Sequence, residues 1–231
     1  MNSYSSARKE LKYYINNIDY LILKNKLSEF FSRDKNSNSK GFYTVRSLYF
    51  DNKSNDNYYE KIDGIENRKK YRIRIYNMQP EPVKFEIKSK KGSSIFKESA
   101  LISSSDINRL VTGDYSCLLN YSSKTSTTIY CDFLKDFYRP VVLIDYMRDA
   151  YLSDINNLRV TFDSDIRKDE INLNNLFAYN TKMTPIINGN KVIMEIKYSG
   201  ELPTWIKKLL RFESFERCAI SKYTLSRYIQ N

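Results

Sequence analysis

The sequence predicts an α+β fold built on an antiparallel sheet or barrel, and three alternating stretches predict it. Residues 70–76, 83–88 and 191–198 alternate apolar with charged side chains. Neighbouring side chains on a strand face opposite ways, so each stretch carries one apolar and one charged ribbon. Segments of helical spacing lie between and after these strands. No repeat or hinge-like linker divides the chain, which predicts a single domain over residues 1–231.

In chain order, Arg8 to Ile15 reads as a first strand with Arg8, Glu10 and Lys12 on one face. Asp19 to Phe31 has helical spacing through Leu23, Leu27, Phe30 and Phe31, and the Asn- and Ser-rich stretch 32–40 reads as a loop. Tyr43 to Phe50 is a strand, and Asn57 to Gly64 a short helical turn or loop. Strands at 69–77 and 83–90 flank Pro80 and Pro82, and Gly92-Ser93-Ser94 turns into a strand at 95–102. Ser105-Asp106 starts a helix over Ile107–Val111 that Gly113 stops, and Thr125–Phe137 is a further helix. Pro140 opens a strand over Val141–Arg148, and Asn157–Asp163 is the next. Residues 165–190 read mostly as connection, ending in the turn Asn188-Gly189-Asn190. The strand 191–198 follows, then a helix from Pro203 to about Phe212 and a last helix over Ser221–Ile229. The count is roughly eight strands with flanking helices.

Charge and composition narrow the chemistry. A formal charge of +11 predicts attraction to polyanions. No apolar run approaches the roughly 18 residues of a membrane span. No signal-peptide core precedes Lys12, so a soluble cytoplasmic protein is expected. Three cysteines without CxxC spacing predict packed, reduced thiols. The absence of histidine excludes His-ligated metals, Ser-His-Asp and Cys-His nucleophiles and phosphohistidine intermediates. With six glycines and neither a P-loop nor a GxGxxG, an anion must be held by side chains. The 20 tyrosines form no base-stacking cluster, so no nucleic-acid partner is expected. Trp205, in Pro203–Leu210, is most simply part of an amphipathic helix.

Charged faces carry the functional signal. The candidate residues are Arg8, Glu10, Lys12, Arg72, Arg74, Glu86, Lys88, Lys97, Arg148, Arg159, Glu195 and Lys197. An ordinary half-exposed sheet alternates too. These faces differ in favouring Arg and Lys and in three Glu-x-Lys steps: Glu10–Lys12, Glu86–Lys88 and Glu195–Lys197. Residues two apart on a strand share a face, so the lysine can hold a phosphate while the glutamate holds a bridging cation. Such a cation, bound by carboxylates, phosphate and water, is expected to be Mn²⁺ or Mg²⁺.

The motif order resembles the VTC-type polyphosphate polymerase domain, a branch of the triphosphate tunnel metalloenzyme (CYTH-like) superfamily. The matching pieces are Arg8–Tyr13, Ser47-Leu48-Tyr49-Phe50-Asp51, Arg72–Tyr76, Phe85–Lys88, Arg139-Pro140, Tyr146-Met147-Arg148, Leu158-Arg159-Val160, Met194–Tyr198, Leu202–Trp205 and Ser221-Lys222-Tyr223. They place the family core over about residues 8–223. The resemblance implies an antiparallel β-barrel of triphosphate-tunnel type, with basic side chains binding ATP or another triphosphate and inorganic polyphosphate. Arg72, Arg74, Lys88, Lys97, Arg148 and Arg159 would line the phosphate path, with Arg8 and Lys12 joining from the first strand. Glu195 would anchor the metal, with Glu10 and Glu86 as further candidates. Lys222 would contact phosphate beside Ser221, and Lys197 and Tyr146 would lie along the substrate. The implied reaction is transfer of the ATP γ-phosphate to a growing chain. Water as nucleophile would give a triphosphate hydrolase instead, and loss of turnover a binding module. The SPX sensor and membrane helices of eukaryotic polymerases of this type are not read in this sequence.

Overall fold

The computed structural model describes residues 8–92, 94–179, 182–187, 189–211 and 214–228. These form two compact units. The first takes the described residues within Met1–Thr44, Tyr146–Ile166 and Ile187–Ile220; the second takes those within Val45–Asp145, Arg167–Ile186 and Ser221–Asn231.

The first unit is built on antiparallel strands. β1 (Arg8–Asn16) pairs antiparallel with β10 (Lys191–Ser199), and β10 with β8 (Leu158–Asp169). The register sets Lys12 opposite Glu195 and Glu195 opposite Thr161. Lys197 lies opposite both Glu10 and Arg159. Directly opposed residues share a face, so the charges gather on one side of the sheet. The other side buries Tyr13, Ile15, Val160, Phe162, Met194 and Ile196 against Leu23 and Leu27. Those leucines belong to α1 (Asn17–Phe30), which starts where the Asp19 N–H donates to the Asn16 side chain at 2.8 Å. The stretch after α1 is not all loop. Ser32 and Arg33 form β2 on the second half of β7 (Arg139–Ser153).

The second unit repeats the arrangement with different elements. β3 (Tyr43–Asp51), β4 (Arg68–Tyr76), β5 (Val83–Lys91) and β6 (Ser94–Ile102) form successive antiparallel ladders. One face buries Leu48, Phe50, Tyr71, Ile73, Ile75, Phe85 and Ile87. Ile129 and Phe133 of α4 (Lys124–Asp136) close over it. Phe133 is the centre: its ring lies within 4.9–5.6 Å of those of Phe50, Tyr71, Phe85, Tyr115 and Tyr138. α2 (Asp56–Ile62), α3 (Ile107–Thr112) and α6 (Lys222–Arg227) complete this unit.

The strand order is β1-β10-β8-β7-β3-β4-β5-β6, with β2 on β7 and β9 (Thr184–Pro185) on β8. The expected α+β antiparallel fold is present, but the expected closed barrel is not. Among the described residues no ladder joins β1 to β6. Two strands outrun their expected ends, β7 to Ser153 and β8 to Asp169. Both continue through residues whose ladder and packing partners lie elsewhere in the fold, which local alternation does not register. Pro140 sits inside β7 near its start, a position where the missing N–H is tolerated. The helix expected from Pro203 is shorter, α5 (Thr204–Leu209), with Pro203 as its cap. Phe212, Ile229, Ser93 and Asn188, which the expected elements included, lie outside the described residues. No helix among the described residues is long and apolar enough to cross a membrane.

Candidate functional site: two cationic clusters

In the first unit the charged face centres on Glu195, which is 8 % exposed. Lys197 Nζ lies 3.0 Å from its Oε1 and Lys12 Nζ 3.9 Å from the same atom. Lys12 also meets Glu10 at 3.1 Å and donates to the Ile220 carbonyl at 3.1 Å. Burial alone would raise the Glu195 carboxyl; Lys197, Lys12, a hydrogen bond with Glu10 and Arg148 outweigh it and hold the acid well below its ordinary range. Burial likewise works against the Lys12 ammonium, yet Glu195 and Glu10 keep its pKa above the ordinary value. Two expected Glu-x-Lys steps therefore close on themselves, Glu10 with Lys12 and Glu195 with Lys197. Arg8 lies on β1 opposite Ser199.

Arg148 and Arg159 are already engaged. Arg148 binds Asp163 through two parallel hydrogen bonds, and its guanidinium lies 5.1 Å from the ring centre of Tyr146. Arg159 donates to Asp34 at 2.7 Å and to the Tyr43 hydroxyl at 3.1 Å. Sequence reasoning missed both acids. Asp163 had a readable signal, since it alternates in step with Arg159 and Thr161. Asp34 had none, because its stretch reads as an ordinary polar loop.

In the second unit the charged face centres on Glu86, which is 1 % exposed. Arg72 Nε donates to Glu86 Oε2 at 2.7 Å, Lys97 Nζ lies 2.6 Å from Oε1, and Arg74 Nη1 lies 3.8 Å from Oε2. Burial would raise this acid; Arg72, Arg74 and Lys97 reverse the effect and hold it far below the ordinary carboxylate range. Three cations thus surround one carboxylate. Its charge holds the two arginines in place. Lys88 sits opposite Lys97 and Lys70 in the ladders. Ser221 caps α6, accepting from the Thr224 N–H at 3.3 Å, and places Lys222 in its first turn. Tyr49, which sequence reasoning quoted only within a motif, accepts a hydrogen bond from Arg72 Nη1 at 3.1 Å.

Among the described residues no group of three or more Asp, Glu or Cys side chains could hold a metal ion. Glu10 and Glu195 both lie against Lys12, at 3.1 and 3.9 Å.

Comparison with known proteins agrees with this architecture. A candidate adenylyl cyclase from Hippeastrum, described as having a dominant triphosphatase activity, superposes with a TM-score of 0.57 at 15 % identity, covering 94 % of each chain. A candidate adenylate cyclase from Bacillus halodurans gives 0.55 at 10 % identity, again over 94 % of each. At these identities the likeness shows a shared fold. No curated protein matches the sequence. A family model for the VTC domain matches residues 7–229, the two cationic clusters included, and the chain belongs to the VTC domain family.

Proposed function

We propose that this protein acts on triphosphates and that, with ATP as donor, it extends inorganic polyphosphate by γ-phosphoryl transfer. One observation carries the reading: in the second unit Arg72, Arg74 and Lys97 gather around the single buried carboxylate of Glu86, so cations exceed acids on that charged face. The acid orients the cations, and the excess positive charge is left for nonbridging phosphate oxygens. Arginine forks bind such oxygens two at a time and lysines add mobile point charges. Phosphoryl transfer asks little more of a protein than alignment and neutralisation of charge, and it needs no covalent intermediate.

Glu195 and Glu10 would hold Mn²⁺ or Mg²⁺, with Lys12 and Lys197 shifting from carboxylate to phosphate as substrate enters. The bound ion supplies charge neutralisation between phosphate oxygens. Arg72, Arg74 and Lys97 bind and orient phosphate in the second unit, with Lys88 and Lys222 adding charge. Arg159 and Lys197 do the same in the first. Arg148 acts chiefly by holding Asp163 and Tyr146 in place.

The test is purified protein with ATP and Mn²⁺ or Mg²⁺. ADP together with long polyphosphate is the expected result. Free phosphate without polymer would identify a triphosphate hydrolase, in which water replaces the chain end as nucleophile. Polyphosphate binding with no turnover would overturn the enzymatic reading and leave a binding module.

A further inference from the structure

Tyr49 stands apart from the charged residues around it. It lies on β3 directly opposite Arg72, 7 % exposed, and two supports fix its ring. One side stacks on Tyr223 at 5.3 Å with an interplanar angle of 22°. The Arg72 guanidinium lies 5.9 Å from the ring centre. Tyr223 is itself immobilised, because its hydroxyl donates to Asp51. Asp51 in turn accepts from the backbone N–H groups of Asn52, Asn57 and Tyr58 at 2.9–3.2 Å. Lys70 covers the Tyr223 ring at 5.2 Å and donates to Ser221 at 3.2 Å.

That scaffold aims a hydroxyl with only half of its hydrogen bonding accounted for. Tyr49 Oη accepts from Arg72 Nη1, and among the described residues nothing accepts from its own O–H. A phenol is both donor and acceptor, and leaving a buried donor unmet is unfavourable. One step along the same face, opposite Arg74, the fully buried Ser47 Oγ has no hydrogen-bond partner among the described residues. Two neutral donors thus stand across the ladder from two arginines.

We propose that Tyr49 is a substrate-binding residue whose phenolic O–H donates to a phosphate oxygen held by Arg72, an inference that rests on the triphosphate-acting function proposed above. The arginine, held by Glu86 through Nε, then serves the phenol and the phosphate through its other N–H groups and locks their relative orientation. The donor is neutral, so it adds direction without further repulsion among the neighbouring cations. The surrounding charges also set its working range. Burial pushes the phenol up, but Arg72, Arg74 and Lys222 together bring it below the ordinary tyrosine value. Of the acids nearby, Glu86 is ion-paired with Arg72, and Asp51 accepts from Tyr223. On the alkaline side the phenol therefore loses its proton early, and with it the ability to donate.

The experiment measures inorganic tripolyphosphate binding by calorimetry at fixed ionic strength, across neutral to alkaline pH, for wild type and Tyr49→Phe. Phenylalanine keeps the stack on Tyr223 and removes only the hydroxyl. At neutral pH the variant should bind about tenfold to a hundredfold more weakly, the loss expected for one hydrogen bond to a charged group. Wild-type affinity should fall as pH rises through the phenol's range, and the variant should lack that fall. Equal neutral affinities, or the same alkaline fall in both proteins, would overturn the role of Tyr49 and leave the triphosphate reading standing. A wild type that binds no tripolyphosphate would overturn both.

Discussion

Arg148 and Asp163 meet in a buried two-point ion pair, Nε to Oδ1 at 2.6 Å and Nη2 to Oδ2 at 2.7 Å. Asp163 is fully buried and Arg148 nearly so. The geometry gives Arg148 a different duty from the half-buried Lys12 and Lys197 on the same face. Removing one partner of such a pair strands the other charge in a low-dielectric setting. We expect Arg148→Ala to destabilise the protein by about 3–5 kcal/mol, read from urea unfolding. Arg148→Ala with Asp163→Ala should recover part of that loss. If the single variant unfolds like wild type, the pair is not structural and Arg148 returns to direct substrate contact.

Arg72 and Arg74 alternate on one strand, yet their removal should differ. Arg72 makes the short bond to Glu86, and Arg74 stands 3.8 Å away. Both alanine variants are expected to abolish polyphosphate synthesis. Only Arg72→Ala should also lower stability appreciably, by about 1–3 kcal/mol, because it exposes a buried carboxylate to a weaker set of partners. Adding Glu86→Gln to Arg72→Ala should restore most of the melting temperature without restoring synthesis. Equal stability losses from the two single variants would contradict this division of labour.

Much of this could be read before the structure. Alternation through Lys70–Tyr76 and Val83–Lys88 correctly sorted Arg72, Arg74 and Glu86 from Tyr71, Ile73, Phe85 and Ile87, because side-chain parity is a local property. The partners of those charges were not legible. Which acid meets Arg148, or which carbonyls meet Arg46, depends on contacts more than a dozen residues apart in sequence. Closure of the sheet was not legible either, since alternation fixes faces and not the pairing of end strands. Tyr49 was passed over because an aromatic in an alternating strand reads as core, and only its hydroxyl geometry distinguishes it.

Glu195 and Glu86 predict an acid-sensitive fold. Both carboxyls are held below their ordinary value of 4.5, so in the folded state they stay ionised where the unfolded chain takes up protons. Their stabilisation is complete above that value and is lost as pH falls through the lowered folded values. Stability should therefore decline progressively below about pH 4.5, and Glu86→Gln should show a shallower acid limb than wild type. Glu195→Gln should in addition lose the dependence of turnover on Mn²⁺ or Mg²⁺, since a neutral amide is a poor ligand for a hard ion. An unchanged metal titration would move the ion away from Glu195, with Glu10 the next candidate.

Arg46 gives the last prediction, on a residue that alternation assigned to no site. It is 2 % exposed and binds Asp145 through Nε and Nη2, both at 2.6 Å. Its Nη1 donates to the carbonyls of Asn175, Leu176 and Ala178 at 2.7, 3.2 and 2.7 Å. One guanidinium thus ties strand β3 to β7 and pins the segment around Leu176, which packs into the aromatic core. Lysine keeps the charge but has a single nitrogen, so it cannot reach Asp145 and the carbonyls together. We expect Arg46→Lys to cost about 2–4 kcal/mol, and Arg46→Met more, because methionine leaves Asp145 without its partner. Limited proteolysis should then cut within residues 171–179 well before the rest of the chain. Cleavage at the wild-type rate in Arg46→Lys would mean that Leu176 alone holds the segment.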